Sequence, residues 1–142
     1  MAYIALADIE GEIPPGFLTQ ALDDDADGIV DAWDAVQSDA AGEVNAILGL
    51  RFAAPFTGDL PAIVTKATKV AACYRCYSRR GVANDQNPFK SQYDDYFGPN
   101  GFLSKIASGK LPLGPNIART KPSASLVTEK SPTFDTGGRR LS

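Results

Sequence analysis

The acidic stretch from Asp23 to Asp34, DDDADGIVDAWD, holds the side chains best suited to chemistry. It reads D-x-D-x-D-G-x-V-D-x-x-D, which is the pattern of an EF-hand calcium loop. Such a loop binds the ion through side-chain oxygens at its first, third and fifth positions, turns at a glycine and carries an acid at its twelfth position. The predicted ligands are Asp23, Asp25, Asp27, the Ile29 carbonyl, Asp31 and Asp34. Oxygen ligands alone favour Ca²⁺ over a transition metal.

This acidic stretch also has a simpler interpretation. Its twelfth position is Asp34 rather than the longer Glu, a variant that resembles the loops of dockerin-type modules. A solvated turn fits the same residues if Asp31 caps the following helix and the carboxylates favour the positive end of that helix. The sequence leaves Ca²⁺ binding and the solvated turn open. A calcium-dependent protein-binding module is therefore a second functional hypothesis, although it predicts two such loops and the sequence has one.

Two cysteines, Cys73 and Cys76, form a C-x-x-C motif inside a predicted helix. Redox motifs of this kind normally begin a helix, where the helix dipole lowers the thiol pKa. A zinc site needs two more Cys or His ligands, and the sequence has no histidine and no third cysteine. We therefore interpret both as buried helix residues. The lack of histidine also removes the usual general base near neutral pH, and we expect no enzymatic activity.

Charge is distributed unevenly along the 142 residues, whose net charge is −3. Residues 1–50 contain eleven acids and no Lys or Arg. Residues 51–110 contain nine Lys or Arg and four acids, and residues 111–142 contain five Lys or Arg and two acids. This polarity suits either an acidic surface of one copy that faces a basic surface of the next or a match within one chain. Arg51 and the cluster Arg75, Arg79 and Arg80 could bind phosphates in a third hypothesis, a small nucleic-acid-binding regulator. The acidic balance of the chain argues against it.

Apolar residues at spacings of three and four predict an all-α fold, a small bundle of about four to five helices with an extended C-terminal tail. The predicted helices are residues 3–10, 16–22, 33 to 49–52, 61–80 and a last helical region, 88–107, that residues 98–101 interrupt. Gly81 is expected to cap the fourth of these helices at its C-terminus. We assign residues 1–110 to one helical domain.

The tail, which we name the C-terminal segment (residues 111–142), is rich in proline and glycine, and these residues exclude a long helix. Its composition alone is typical of a disordered terminus. It is also basic and carries apolar residues spaced like anchors. The candidate partner-binding residues are Leu126, Val127, Phe134, Arg139 and Arg140. We predict that this segment docks onto a neighbour.

The sequence offers no membrane segment. No apolar run approaches the roughly 18 residues that span a bilayer. The N-terminus, beginning MAYI, lacks the basic and apolar regions of a signal peptide. We therefore expect a protein that is made in the cytoplasm and has no membrane partner.

Several motifs occur in an order that resembles the Mu-like phage family of small head–tail joining proteins. The run begins with an apolar N-terminus, continues through the acidic stretch and reaches an alanine-rich helix that ends in an Arg-aromatic pair followed by a proline. The matching pieces are YIALADI (3–9), DGIVD (27–31), EVNAILGLRF (43–52), Pro55, NPF (87–89) and the helix that ends near Gly109. The resemblance covers about residues 3–111, and the glycines at 98–101 and the long basic segment depart from it.

This resemblance implies a structural head-to-tail adaptor rather than an enzyme. It implies a ring, dodecameric in the family, that lies beneath the portal protein in the virion neck and extends the DNA channel. Packaged DNA would pass through without sequence-specific binding. The implied partners are the portal protein, the next neck or tail protein and further copies of this chain. Adaptors of this sort often hold the portal through a C-terminal segment.

Overall fold

A computed structural model describes residues 2–113, which form helices joined by loops. Six α-helices follow one another, and no strand occurs among the described residues. They are α1 (Ala7–Glu10), α2 (Pro15–Leu22), α3 (Trp33–Leu48), α4 (Ala62–Arg79), α5 (Lys90–Phe97) and α6 (Phe102–Ala107), with a 3₁₀ turn at Asn84–Gln86. The predicted all-α class is confirmed, and α1 is a single turn.

The antiparallel pair α3 and α4 forms the centre of the bundle. In α3 the residues Val36, Ala40, Val44 and Leu48 are buried, and their spacing of four places them on one face of the helix. Helix α4 begins directly after Pro61, whose fixed φ suits a helix start. It ends where Gly81 takes a φ of 77° and its N–H reaches the Ser78 carbonyl, as its predicted capping role requires.

Two apolar clusters fill the two ends of this helix pair. The first cluster joins α1 and α2 to the N-terminal half of α3 and the C-terminal half of α4, with Phe89 closing it. The second joins α6 to the other halves of α3 and α4, and it includes Phe52 and Phe56 from the connecting loop. The two clusters therefore lie at opposite ends of the antiparallel pair α3 and α4. Residues at the N-terminus of α3 and residues at its C-terminus lie at opposite ends of the molecule.

The first predicted helix, residues 3–10, is wrong in its first half, because α1 begins only at Ala7. Tyr3 lies in the second cluster instead, and only 5% of its surface is exposed. Its hydroxyl donates to Asn45 Oδ1 at 2.6 Å and accepts from the Phe56 N–H at 2.8 Å. Its own N–H donates to Gln37 Oε1 at 3.3 Å. These contacts across α3 outweigh the local preference for helix.

Within residues 2–113, no helix has the length and apolar character needed to cross a membrane.

Candidate interaction surfaces

The acidic loop between α2 and α3 brings three of its predicted ligands together. One carboxylate oxygen from each of Asp23, Asp25 and Asp27 lies within 4.8 Å of the other two. Asp31 and Asp34 lie outside this group, and Asp34 occupies the first turn of α3. The loop turns through Ala26 and Gly28, whose φ values are 64° and 82°, and Ile29 is 65% exposed. Three clustered hard oxygens fit Ca²⁺ better than a softer metal.

Hydrogen bonds within the loop set the pKa values of its first two predicted ligands. Desolvation acts to raise the pKa of Asp23, but N–H groups of Gly28 and Asp27 donate to its carboxylate and lower that pKa overall. The hydrogen bond with Asp27 is the largest cause that raises the pKa of Asp25 to about 6. Desolvation, the hydrogen bond to Asp23 and like charge add to it. Near neutral pH the cluster thus holds mutually repelling carboxylates.

The acidic loop is attached to the end of α4 by Arg79. This guanidinium donates from Nε to the Ala21 carbonyl at 2.8 Å and also pairs with the Asp24 carboxylate. The alternative in which Asp31 caps α3 is wrong, because the N-cap is Ala32 and no side chain caps this helix. Asp31 instead accepts from the Asp24 N–H at 3.0 Å and so closes the loop.

A polar junction fixes the relative positions of three helices. Glu43 of α3 accepts hydrogen bonds from Arg75 of α4, at 2.8 and 3.1 Å, and from the Tyr93 hydroxyl of α5. The Glu43 side chain is 26% exposed and that of Arg75 34%. Burial and then this hydrogen bond raise the pKa of Tyr93, since ionised Tyr93 would face the Glu43 carboxylate. Tyr93 also stacks on Tyr74, with ring centroids 4.2 Å apart.

A second exposed surface surrounds α6 at the C-terminal end of α3, and we name it the α6 patch. It combines basic and apolar side chains: Leu50, Arg51, Phe102, Lys105, Lys110 and Leu111. The Arg51 guanidinium packs so closely on Gly109 that a Cβ atom there would overlap it. Lys105 lies 5.9 Å above the Phe102 ring, and the N–H groups of the Lys110 and Leu111 backbone both reach the Lys105 carbonyl.

Three of the four arginines proposed for a nucleic-acid-binding regulator have partners within the described subunit. Arg75 and Arg79 pair with acids, as described above, and Arg80 lies 5.8 Å above the Phe17 ring. These contacts stabilise the bundle and leave little of the cluster to meet a phosphate. They support helix-end contacts, rather than phosphate binding, as the role of these three arginines.

Cys73 and Cys76 are both buried and unpaired in α4. Burial raises the pKa of Cys73 to about 12 and that of Cys76 to about 11. The thiolate is the reactive form, so we predict that neither thiol of the native protein reacts with iodoacetamide near pH 8. The unfolded chain should react at both positions. Mass spectrometry after alkylation checks this, and rapid modification of the native protein would show that α4 opens readily.

Sequence reasoning missed the polar junction and the α6 patch. A clue to the patch was present in Leu50, which lies at the predicted end of α3 and outside its apolar face. The candidate partner-binding residues of the C-terminal segment, Leu126, Val127, Phe134, Arg139 and Arg140, lie outside the described residues. Of that segment the structure describes only residues 111–113.

The comparisons with known proteins give one match. The sequence model of the family described as "Bacteriophage Mu, Gp36" matches residues 3–129. No curated protein and no solved structure matches the chain. The matched region contains the whole helical bundle from Tyr3 onward and extends into the C-terminal segment. Because it spans most of the sequence, the chain belongs to the bacteriophage Mu Gp36 family.

Proposed function

We propose that this protein is the structural head-to-tail adaptor of a tailed phage. Copies of the chain form a ring, dodecameric by resemblance to other adaptors, beneath the portal protein in the virion neck. The ring extends the DNA channel and offers a surface to the next neck or tail protein. Packaged DNA passes through without sequence-specific contacts, and the chain catalyses no reaction.

The observation that carries this proposal is the family match over residues 3–129, which supports a structural protein of a Mu-like phage. The geometry agrees with that role. Two apolar clusters and the Glu43–Arg75–Tyr93 junction hold the helices in fixed positions. Two exposed surfaces of different charge, the acidic loop and the α6 patch, remain available for other chains. A rigid body with separate surfaces suits a protein that links neighbours.

Binding to the portal protein tests the adaptor proposal directly. Purified chain is mixed with portal rings from its own phage, and the mass of the complex is measured by light scattering. We expect a complex that carries several copies of the chain on each portal ring, whereas portal rings of an unrelated phage should bind none. A chain that ignores its own portal at micromolar concentrations would contradict the proposal.

We further propose that the acidic loop binds Ca²⁺ and that the ion stabilises the loop. Asp23, Asp25 and Asp27 would hold it, since their oxygens already cluster within 4.8 Å. The ion would neutralise carboxylates that otherwise repel one another. One such loop fits a structural ion better than the alternative of a calcium-dependent protein-binding module of the dockerin type, which resembles this loop but uses two.

Replacing Asp25 with asparagine separates the electrostatic cost of the loop from ion binding. The folded pKa of Asp25, about 6, exceeds its usual 3.8, so the native state holds this proton more tightly than the unfolded chain. Stability should therefore fall as pH rises from about 4 to about 6. Asp25→Asn should raise the melting temperature at pH 7 without Ca²⁺, weaken that pH dependence and reduce the gain from Ca²⁺.

Thermal melts with Ca²⁺ or EDTA at several pH values measure these effects. Wild-type protein should gain about 2.7 kcal/mol when free Ca²⁺ exceeds the dissociation constant a hundredfold. Asp85→Asn, which changes an exposed aspartate in the 3₁₀ turn, is the matched control and should leave the gain unchanged. Identical melts of wild-type protein in Ca²⁺ and EDTA would contradict the ion site.

A further inference from the structure

Exposed large apolar residues mark opposite ends of the described bundle. There are four of them: Ile29, Leu50, Phe102 and Leu111. Ile29 lies in the acidic loop, which contains six aspartates and no basic residue between Asp23 and Asp34. The other three belong to the α6 patch. The two surfaces flank α3, whose 16 residues span about 24 Å at ~1.5 Å per residue.

The charges around these apolar residues are opposite in sign. In the acidic loop only Asp24 is engaged by an ion pair within the described subunit, with Arg79. In the α6 patch, Arg51, Lys105 and Lys110 form no ion pair with any described residue. At one end Ile29 is thus surrounded by acids. At the other end Leu50 and Leu111 lie beside bases, while Phe102 and Lys105 share a depression with Asp94, which pairs with Lys90, and Asp95. The three cations of the patch still outnumber these two acids. The two ends of one rigid molecule cannot meet each other.

We propose that the acidic loop of one copy docks onto the α6 patch of a second copy. Ile29 packs against Leu50, Leu111 and Phe102, while the loop carboxylates face the cations at Arg51, Lys105 and Lys110. Apolar contact at the centre and charged residues at the rim are the usual anatomy of a protein–protein interface. This inference names the contact between subunits and rests on the proposed ring.

A second copy fits the α6 patch better than the chain's own C-terminal segment does. Leu113, the last described residue of that segment, lies two residues after Leu111 of the patch. Residues 111–142, however, contain five Lys or Arg and two acids. A basic segment on a basic surface would be repelled, whereas the acidic loop is attracted. Charge complementarity therefore selects the loop of another copy as the occupant.

This contact joins two different surfaces, so it is heterologous. Each copy keeps a free loop at one side and a free α6 patch at the other, and repeated contacts of this kind generate a ring if the rotation closes. Heterologous contacts can be tested by mixing variants. A copy with a damaged loop keeps an intact patch, which can still bind the intact loop of a copy with a damaged patch.

Three full-length variants test the interface. Ile29→Ser removes the apolar residue of the loop, and Leu50→Ser combined with Leu111→Ser removes two of those in the patch. Ala83→Ser, at an exposed position outside both surfaces, is the matched control. All four substituted positions are exposed, so circular dichroism should show native helix content. Self-association is measured by sedimentation at protein concentrations up to about 1 mM, a range in which even weak contacts are populated.

Wild-type protein and Ala83→Ser should self-associate to the same extent. Each interface variant should associate roughly tenfold more weakly, since burying an apolar side chain of this size contributes on that scale. At concentrations where neither interface variant associates alone, an equal mixture of the two should form dimers and nothing larger. Raising salt from about 50 mM to about 500 mM should weaken association of the wild type, because exposed charges are screened.

The inference is overturned if wild-type protein stays monomeric throughout or if the variants associate like wild type. It is also overturned if the mixture grows beyond dimers at concentrations where neither variant associates alone. Portal binding distinguishes this failure from failure of the adaptor proposal. Wild-type chains that bind the portal while the interface variants bind it in equal number would reject the contact and leave the adaptor role standing. Chains that self-associate as described but ignore the portal would reject the adaptor role and leave the contact standing.

Discussion

Replacing Tyr3 with alanine should lower the free energy of unfolding by about 3–5 kcal/mol, the usual cost of truncating a buried aromatic side chain. Tyr3 is 5% exposed. It packs beside Phe56, with ring centroids 6.3 Å apart, and its hydroxyl links Asn45 of α3 to the loop that leads into α4. One side chain therefore attaches both the N-terminus and this loop to the central helix pair.

Tyr3→Phe separates packing from hydrogen bonding. It keeps the ring but leaves the buried Phe56 N–H without its acceptor, which should cost about 1–3 kcal/mol. Urea denaturation followed by the fluorescence of Trp33, the single tryptophan, measures both variants. A loss below about 1 kcal/mol for Tyr3→Ala would contradict the docked N-terminus, because no buried aromatic residue is that dispensable.

Replacing Glu43 with leucine should destabilise the protein by about 2 kcal/mol, because it leaves charged and polar partners in two helices without their acceptor. Arg75 would keep only the distant Asp39, at 3.9 Å, and the Tyr93 hydroxyl would lose its acceptor. The pKa of Tyr93 should also fall toward its ordinary value, since the hydrogen bond to Glu43 helps to raise it. Absorbance titration of the tyrosines detects this change.

Glu12→Gln provides the matched control for Glu43→Leu. Glu12 pairs with Lys69 at 3.3 Å, but their side chains are 46% and 38% exposed. Exposed ion pairs contribute about 0–1 kcal/mol, so this variant should unfold nearly as the wild type does. Equal losses at Glu43 and Glu12 would show that the junction acts as an ordinary surface pair and does not fix α5 against α3 and α4.

The helices were predictable because their signals are local. Spacing along α3 and α4 placed their apolar faces, and Gly81 ended α4 as its free left-handed conformation allows. The same reasoning failed at Tyr3, which was predicted to be helical and is not. Residues 3–10 fit a helical pattern, but Tyr3 is held in place by hydrogen-bond partners that lie 34 to 53 positions away in the sequence. Contacts of that range depend on how the whole bundle packs, which no local spacing reveals.

The candidate surfaces were predictable only in part, for the same reason. Residue type and spacing identified the acidic loop, and its first three predicted ligands, Asp23, Asp25 and Asp27, do converge. The role of Asp31 could not be predicted from the sequence, because an aspartate at this position is equally suited to capping α3 and to closing the loop. The α6 patch combines Leu50 with Leu111, 61 positions later, so only the fold brings its members to one end of the molecule.

The most direct test of the adaptor role is electron microscopy of particles assembled without this protein. The account predicts filled or emptied heads and separate tails that do not join, and addition of the purified chain should restore joined particles. Addition of the Ala83→Ser protein should restore joining equally well. Intact tails already attached to heads in particles that lack the chain would contradict the account.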